Sequence, residues 1–312
     1  MLPEFLKAKP QQIALVFLIG ASYSLLLAVN KIAVTHGVPS SAYVFWHCLG
    51  AGLITGLLAL ARRERYPLGP KYLFTYAVWG LLSVAAPITL LTWIAPNLPA
   101  GIITLTLILV PLVTYGLSVV FAVDRFRVLS VLGILMGAGG VLIVALPDQA
   151  LPSGDMVGWL LLALLAPVSF GMVTVFVAKF RPPACGSLPL VSGLFLAAAI
   201  MLVPVMAGFG HLYVFPGPDT TGDLAILYAT LLSCVIFWLF LEVISVSGPT
   251  FVTQHNFIAV LSGFGWGALF FSEEPSWLIW VATLVMFGGL GLHTYSTRRE
   301  AARGAAVQQA AD

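Results

Sequence analysis

The sequence predicts an all-α, polytopic membrane protein: ten transmembrane helices arranged as a five-plus-five inverted repeat. Three observations predict it. Of 312 residues, 60% are hydrophobic and only 8% charged, whereas a soluble domain carries roughly 25% charged residues to coat itself for water. The apolar runs recur at lengths of about 20 residues, enough for a helix to cross the ~30 Å hydrocarbon core. The two halves of the chain also match each other at a nearly constant shift. The spans fall at about 12–35, 40–61, 72–94, 99–123, 129–147, 158–180, 188–209, 223–245, 250–271 and 277–297. Their short connections leave no room for a separate soluble domain.

The first span follows Lys7 and Lys9, as a signal peptide would. Its apolar run continues past Gly20-Ala21-Ser22 into Leu25-Leu26-Leu27, longer than a cleaved segment. Ser22 and Tyr23 sit near its middle. Lys31 lies about 28 Å along the helix from Gln12, close enough to the far surface to extend its ammonium into water. Asn30 beside it and His36 then line an outer mouth. In the second span His47 lies about 10 Å inward from Ser40. It either titrates near neutral pH and meets a substrate carboxylate, or bonds a neighbouring helix as a neutral ring.

The third span carries Trp79 and Ser83 on adjacent turns, then Pro87. Tryptophan favours membrane interfaces, so one nearer midspan marks either a ligand-lined interior or a buried or lipid-facing ring. The fourth span opens with Thr104 and Thr106. Gly133, Gly137, Gly139 and Gly140 in the fifth form a seam for close helix packing. The sixth carries Pro167, Ser169 and Phe170, where the missing proline donor frees a backbone carbonyl. Ser22-Tyr23 and Ser169-Phe170 are matched by the duplication. Small residues beside one ring leave room for a ligand, and they also suit plain helix packing.

The eighth span holds Ser233, Cys234 and Trp238. Glu242, about 28 Å from Asp223, is read as an interfacial carboxylate paired with Lys179, Arg181 or Arg125. The ninth opens with Gln254, His255 and Asn256. At about 100° per residue these three cover about 200°, so they cannot all face one cavity. His255 lies only about 7.5 Å in from Thr250, so the run reads as an entrance or gate matched by Thr104 and Thr106, or as a set of helix-to-helix hydrogen bonds. Gly263 and Gly267 in the ninth span, and Gly288, Gly289 and Gly291 in the tenth, read as packing.

With the N-terminus in the cytoplasm, every basic residue except Lys31 falls on inner segments. Both termini are then cytoplasmic, which requires an even number of spans. Ser22-Tyr23-Ser24 falls on Ser169-Phe170-Gly171, and Ala138-Gly139-Gly140 on Phe287-Gly288-Gly289. Val123-Asp124 lies beside Ser272-Glu273. Five spans per repeat force opposite insertion of the two halves, an architecture of secondary transporters that bind substrate near the midplane. The repeats are expected at 1–148 and 149–300, with 301–312 a disordered cytoplasmic tail.

The segments PAGIITLTLILVPLV, VDRF and LGILMGAGGVLI, with GPTFVTQHNFIAVLSGFGWGALFFSEEPSWLIW and MFGGLGL, resemble the EamA-type modules of the drug/metabolite transporter superfamily. The resemblance covers nearly the whole chain. The family's frequent Glu-Pro in the fourth helix appears here as Val110-Pro111 and as Ala259-Val260. Its Gly-Glu after that helix appears as Val123-Asp124 and Ser272-Glu273. Within the family the chain resembles YddG-type amino-acid exporters, which accept aromatic amino acids. The resemblance implies helices 1–4 and 6–9 around a central cavity, with helices 5 and 10 outside as supports.

The function read from this pattern is a secondary transporter in a bacterial inner membrane. It exports small amphiphilic metabolites, amino acids including aromatic ones, by alternating access. Substrate-binding candidates are Ser22, Tyr23, Trp79, Ser83, Ser169, Phe170 and Trp238. Pathway or gate candidates are Asn30, His47, Thr104, Thr106, Gln254, His255 and Asn256. The alternatives are another metabolite or drug as cargo, or an intramembrane enzyme. Against the enzyme, Ser262 and His255 lie seven residues apart along one helix, too far for a nucleophile–base contact. No G-x-x-x-x-G-K-[ST] loop is present to drive a nucleotide-powered pump. The histidines show no ligand spacing and the cysteines no CxxC pair, so neither metal nor cofactor is expected. The expected partners are a small-molecule substrate and the lipid bilayer, with no nucleic acid. Whether the protein is a monomer or a homodimer stays open.

Overall fold

A lipid-embedded chain must satisfy its backbone polar groups internally, and continuous helices do so. The computed structural model describes residues 10–122, 124–145, 156–180, 186–247 and 255–311. Among these, all regular structure is helical: α1 (Pro10–Thr35), α2 (Ser40–Ala61), α3 (Pro70–Asn97), α4 (Ala100–Val120) and α5 (Val128–Ala145). There follow α6 (Met156–Ala163 and Leu165–Phe180), α7 (Ser187–Gly208), α8 (Thr220–Ser247), α9 (His255–Phe271) and α10 (Trp277–Ala311). Among the described residues nine helices are long and apolar enough to cross a membrane, and α9 is described over 17 residues. Helix α10 continues through 301–311, most of the segment expected as a disordered tail.

Three helices are interrupted, each next to a proline. Pro87 cannot donate to the Ser83 carbonyl, and α3 widens into a π-turn at Leu81–Ala85. Pro111 leaves the Leu107 carbonyl without its ordinary partner, and Val110 N–H bonds it instead at 3.1 Å. That splits α4 into Ala100–Thr106 and Leu109–Val120. Pro167 does the same to Ala163, where α6 is interrupted at Leu164.

The duplication is visible in how helices end. Helix α4 closes on Ala122 with φ 54°, and α9 closes on Ser272 with φ 52°. Both are non-glycine residues in the left-handed region, which a side chain disfavours. In each case a carboxylate residue two or one positions later folds back onto the helix end. Asp124 N–H donates to Ser118 O at 3.0 Å, and Glu273 N–H to Gly267 O at 3.2 Å. Gly37 at φ +83° closes α1, with Val38 N–H on Ala33 O, and so lets α2 begin within a few residues.

The chain divides into two compact units, residues 1–105 with 180–273, and 106–179 with 274–312. Each therefore draws on both halves of the sequence. In the first unit α1 packs on α8 and α9, α2 on α7 and α8, and α3 on α7. Ser192 of α7 ties α2 to α7: its hydroxyl donates to Gly52 O at 2.7 Å and accepts from Tyr66 Oη at 3.0 Å. Ser192→Ala removes both of these hydrogen bonds and should cost roughly 1–2 kcal/mol. Thermal unfolding in detergent measures it; an unchanged midpoint would show that the bridge contributes nothing.

In the second unit α5 packs along α10 through glycine. A Cβ on Gly133 would stand 2.5 Å from Gly289 O, and one on Gly289 2.6 Å from Gly133 O. The glycine seam expected from the sequence is thus a backbone-to-backbone contact, which only glycine permits.

The α7–α8 connection folds over the start of α2. His211 Nδ1 and Ser41 Oγ lie 3.0 Å apart, and Trp46 Nε1 donates to Tyr213 O at 2.9 Å. Burial, together with the hydrogen bond to Asp223, pushes the Tyr213 phenol up to about 12. It therefore stays a donor at physiological pH. On the exposed side, the hydrogen bond from His36 holds the Asp219 carboxyl below the usual carboxylate range.

Candidate functional site

Helices α1, α8 and α9 meet in the first unit at a cluster of rings. The Tyr23 ring lies edge-on to His255, centroids 6.0 Å apart at 76°. The Phe240 ring meets the same imidazole at 5.6 Å and 85°. His255 and Asn256 are buried at the start of α9, while Tyr23 is half-buried. Edge-to-face geometry matches the positive edge of one ring to the negative face of the next. Two residues placed in different roles by the sequence, Tyr23 in binding and His255 in gating, thus belong to one cluster.

The seam beside this cluster is tight and polar. A Cβ on Gly20 would stand 2.6 Å from His255 O. Ser24 and Ser262 share a 2.8 Å hydrogen bond between α1 and α9, and Trp266 Nε1 donates to Ala21 O at 3.1 Å. Ser262 is accordingly engaged with Ser24 and with Ile258 O. Thr104 of α4, fully buried, sits against Gly263 of α9 and donates to Gly101 O at 2.8 Å.

A second polar cluster joins α1, α2 and α7. Tyr43 Oη donates to Asn30 Oδ1 at 2.7 Å, and the Tyr43 ring lies 5.6 Å from the His47 ring. His47 meets Phe195 of α7 at 6.2 Å, and Phe195 meets Phe237 of α8 at 4.9 Å. Asn30 and His47 are both buried, and Asn30 Nδ2 finds no partner among the described residues. Tyr43, not Asn30 or His47, is what connects the two.

The remaining candidates are dispersed. Trp79 of α3 is buried, its indole N–H without a partner among the described residues. Ser83 falls inside the π-turn, and Ser22 is half-buried on α1. Trp238 lies 5.6 Å beneath the Arg62 guanidinium, a cation–π contact at the end of α2 rather than part of the ring cluster. Thr106, Ser169 and Phe170 belong to the second unit, where Thr106 is buried and the other two half-buried. Gln254 lies outside the described residues.

Lys31 departs from the expectation of an ammonium reaching into water. It is largely buried and forms a 2.7 Å ion pair with Glu273. The sequence carried a clue: Lys31 is the one cation away from the basic segments, and a largely buried cation requires a counter-ion. Tyr43 was also within reach, since it stands one helical turn from His47. Phe240 carried no signal; it is one apolar residue among many.

Helices of membrane length throughout the described residues, with duplicated helix ends and polar clusters sealed between helices, define a multi-pass membrane protein. The EamA-like transporter family model matches residues 11–146 and 157–295. The chain belongs to that family and is a membrane transporter of the drug/metabolite type. A solved crystal structure is similar to it, with a TM-score of 0.59 and 21% identity over 91% of this chain and 98% of that one. At that identity the match speaks for the fold alone. No curated protein matches the sequence.

Proposed function

We propose that this transporter exports small amphiphilic metabolites, amino acids including aromatic ones, by alternating access. The observation that supports this substrate class is the cluster of Tyr23, His255 and Phe240, three rings from three helices meeting edge to face. A substrate ring can replace one of those contacts at little cost. Ser22, Trp79, Ser83 and Trp238 are the further binding residues proposed in the first unit, and Ser169 and Phe170 those proposed in the second. Asn30, His47, Thr104, Thr106, Gln254 and Asn256 mark the proposed route. The basic residues gathered at one side of the spans support cytoplasmic termini in a bacterial inner membrane. The halves 1–148 and 149–300 then act as two oppositely inserted modules.

Proteoliposomes holding the purified protein and a panel of labelled amino acids test this. Saturable flux of phenylalanine or tryptophan above empty vesicles is expected. Flux of none of the amino acids would remove the substrate class while leaving family membership intact. An imposed proton gradient that accelerates flux would assign antiport, and indifference to it facilitated diffusion.

A further inference from the structure

We infer that Lys31 and Glu273 form a latch that holds the first stretch of α4 closed against α1 and α9, and that its release opens that end of the first unit. Glu273 Oε1 accepts from Lys31 Nζ at 2.7 Å and from Ala100 N–H at 2.9 Å, and Oε2 accepts from Gly101 N–H at 3.4 Å. Lys31 Nζ also donates to Leu98 O at 3.1 Å and stands 4.5 Å from the Phe271 ring centroid. One carboxylate and one ammonium thus join α1, the start of α4 and the end of α9. The two side chains are 13% and 15% exposed. Removing either partner leaves the other charge poorly solvated and unpaired. The contact is therefore close to all-or-none, as a latch must be.

Two of the three elements that the latch joins carry a backbone irregularity beside it. The held stretch, Ala100–Thr106, is separated from the rest of α4 by the Pro111-linked break at Leu107 and Ile108. On the other side, Ser272 at φ 52° stands immediately before Glu273, and strained backbone of this kind recurs at switch regions. Between these hinges α4 and α9 touch closely at two glycines. The Phe264 ring occupies the space a Cβ on Gly101 would take, and Thr104 occupies that on Gly263. Asp124, which stands at the matching place after α4, behaves differently. It bonds Arg127 and the Arg125 N–H within its own connection. The latch is thus a property of Glu273 and its reach to Lys31, not of every carboxylate after a fourth helix. The inference stands on this geometry and on transporter family membership, independent of which substrate is carried.

The test uses Thr104→Cys as reporter, in a full-length background with Cys48, Cys185 and Cys234 changed to alanine. Thr104 is fully buried one turn behind the latch. The rate of modification by a membrane-impermeant maleimide is measured in lipid nanodiscs, with thermal unfolding monitored in parallel. Glu273→Gln and Lys31→Met should each raise the rate about tenfold. The exchanged pair Lys31→Glu/Glu273→Lys should bring it part of the way back, because a lysine at 273 restores the ion pair but cannot cap Ala100 and Gly101. Joining Lys31→Cys to Glu273→Cys with a short bis-thiosulfonate, in a separate chain where Thr104 is read by hydrogen exchange of its amide, should slow opening below the parental rate. Unchanged labelling in both single variants overturns the latch, whether or not the unfolding midpoint falls. A lowered midpoint with unchanged labelling assigns the pair to stability alone and overturns it equally.

Discussion

Tyr23→Ala and His255→Ala are each expected to reduce aromatic amino-acid flux in proteoliposomes by roughly tenfold. Each edge-to-face contact is worth about 0.5–1.5 kcal/mol beyond the area it buries, and about 1.4 kcal/mol corresponds to a factor of ten. Tyr23→Ala removes one ring of the cluster, and His255→Ala removes the ring that both Tyr23 and Phe240 face. His255→Ala should therefore have the larger effect. Tyr23→Phe keeps the ring and should keep most of the flux. Trp79→Ala, on the separate helix α3, should impair aromatic flux before it impairs folding. Unfolding midpoints must stay within a few degrees for these comparisons to count. Aromatic flux undiminished in both Tyr23→Ala and His255→Ala, with folded protein, would show that the cluster is a packing feature and that substrate is recognised elsewhere.

Substitutions at the two facing glycines of the α5–α10 seam should strongly destabilise the molecule. At Gly133 and Gly289 the space a Cβ would fill is taken by the opposing backbone carbonyl, at 2.5 and 2.6 Å. A backbone atom cannot rotate away as a side-chain tip can, so the helices must part along their length. Gly140 would lose its own close contact with Met286 of α10 as the seam opened. Overpacking costs typically about 1–3 kcal/mol, and more when backbones must move. Gly133→Val should fall at or beyond the upper end, seen as a lowered unfolding midpoint and aggregation in detergent. Gly139→Ala and Gly291→Ala are the controls. A Cβ at either meets nothing within 4 Å, and alanine favours a helix over glycine by up to about 1 kcal/mol. Equal behaviour of Gly133→Val and Gly139→Ala would refute the seam.

Much of the architecture was legible before any coordinates. Span length, proline position and glycine periodicity are local quantities, and each acts within a few residues of itself. Pro87, Pro111 and Pro167 each remove one named backbone bond, and each helix is interrupted there. The glycine seam in α5 and α10 was similarly visible, because closeness of approach demands small residues whatever the partner. The α4 and α9 endings were half visible. Asp124 and Glu273 were recognised as matching landmarks, but Ala122 and Ser272 give no sign in their side chains of a positive φ.

The candidate site was legible only in part. Tyr23 and His255 were singled out for different reasons, Tyr23 by small neighbours and His255 by polarity within an apolar run. Their contact depends on how α1 and α9 are rotated and slid against each other, to which Gly20, Ser24, Ser262 and Trp266 all contribute. Trp238 was singled out by type and depth, and its contact with the Arg62 guanidinium likewise depends on how α2 and α8 pack.

By itself the sequence determined a helical membrane protein with duplicated halves, because lipid forces every span to satisfy its own backbone and so ties structure to local composition. Only the tertiary structure decided that Lys31 meets Glu273, that Glu273 caps α4, and that Phe240 joins Tyr23 and His255. In those pairs the residues come from different helices, and their meeting rests on rotations and depths set by all the packed neighbours together. No run of adjacent residues carries that information.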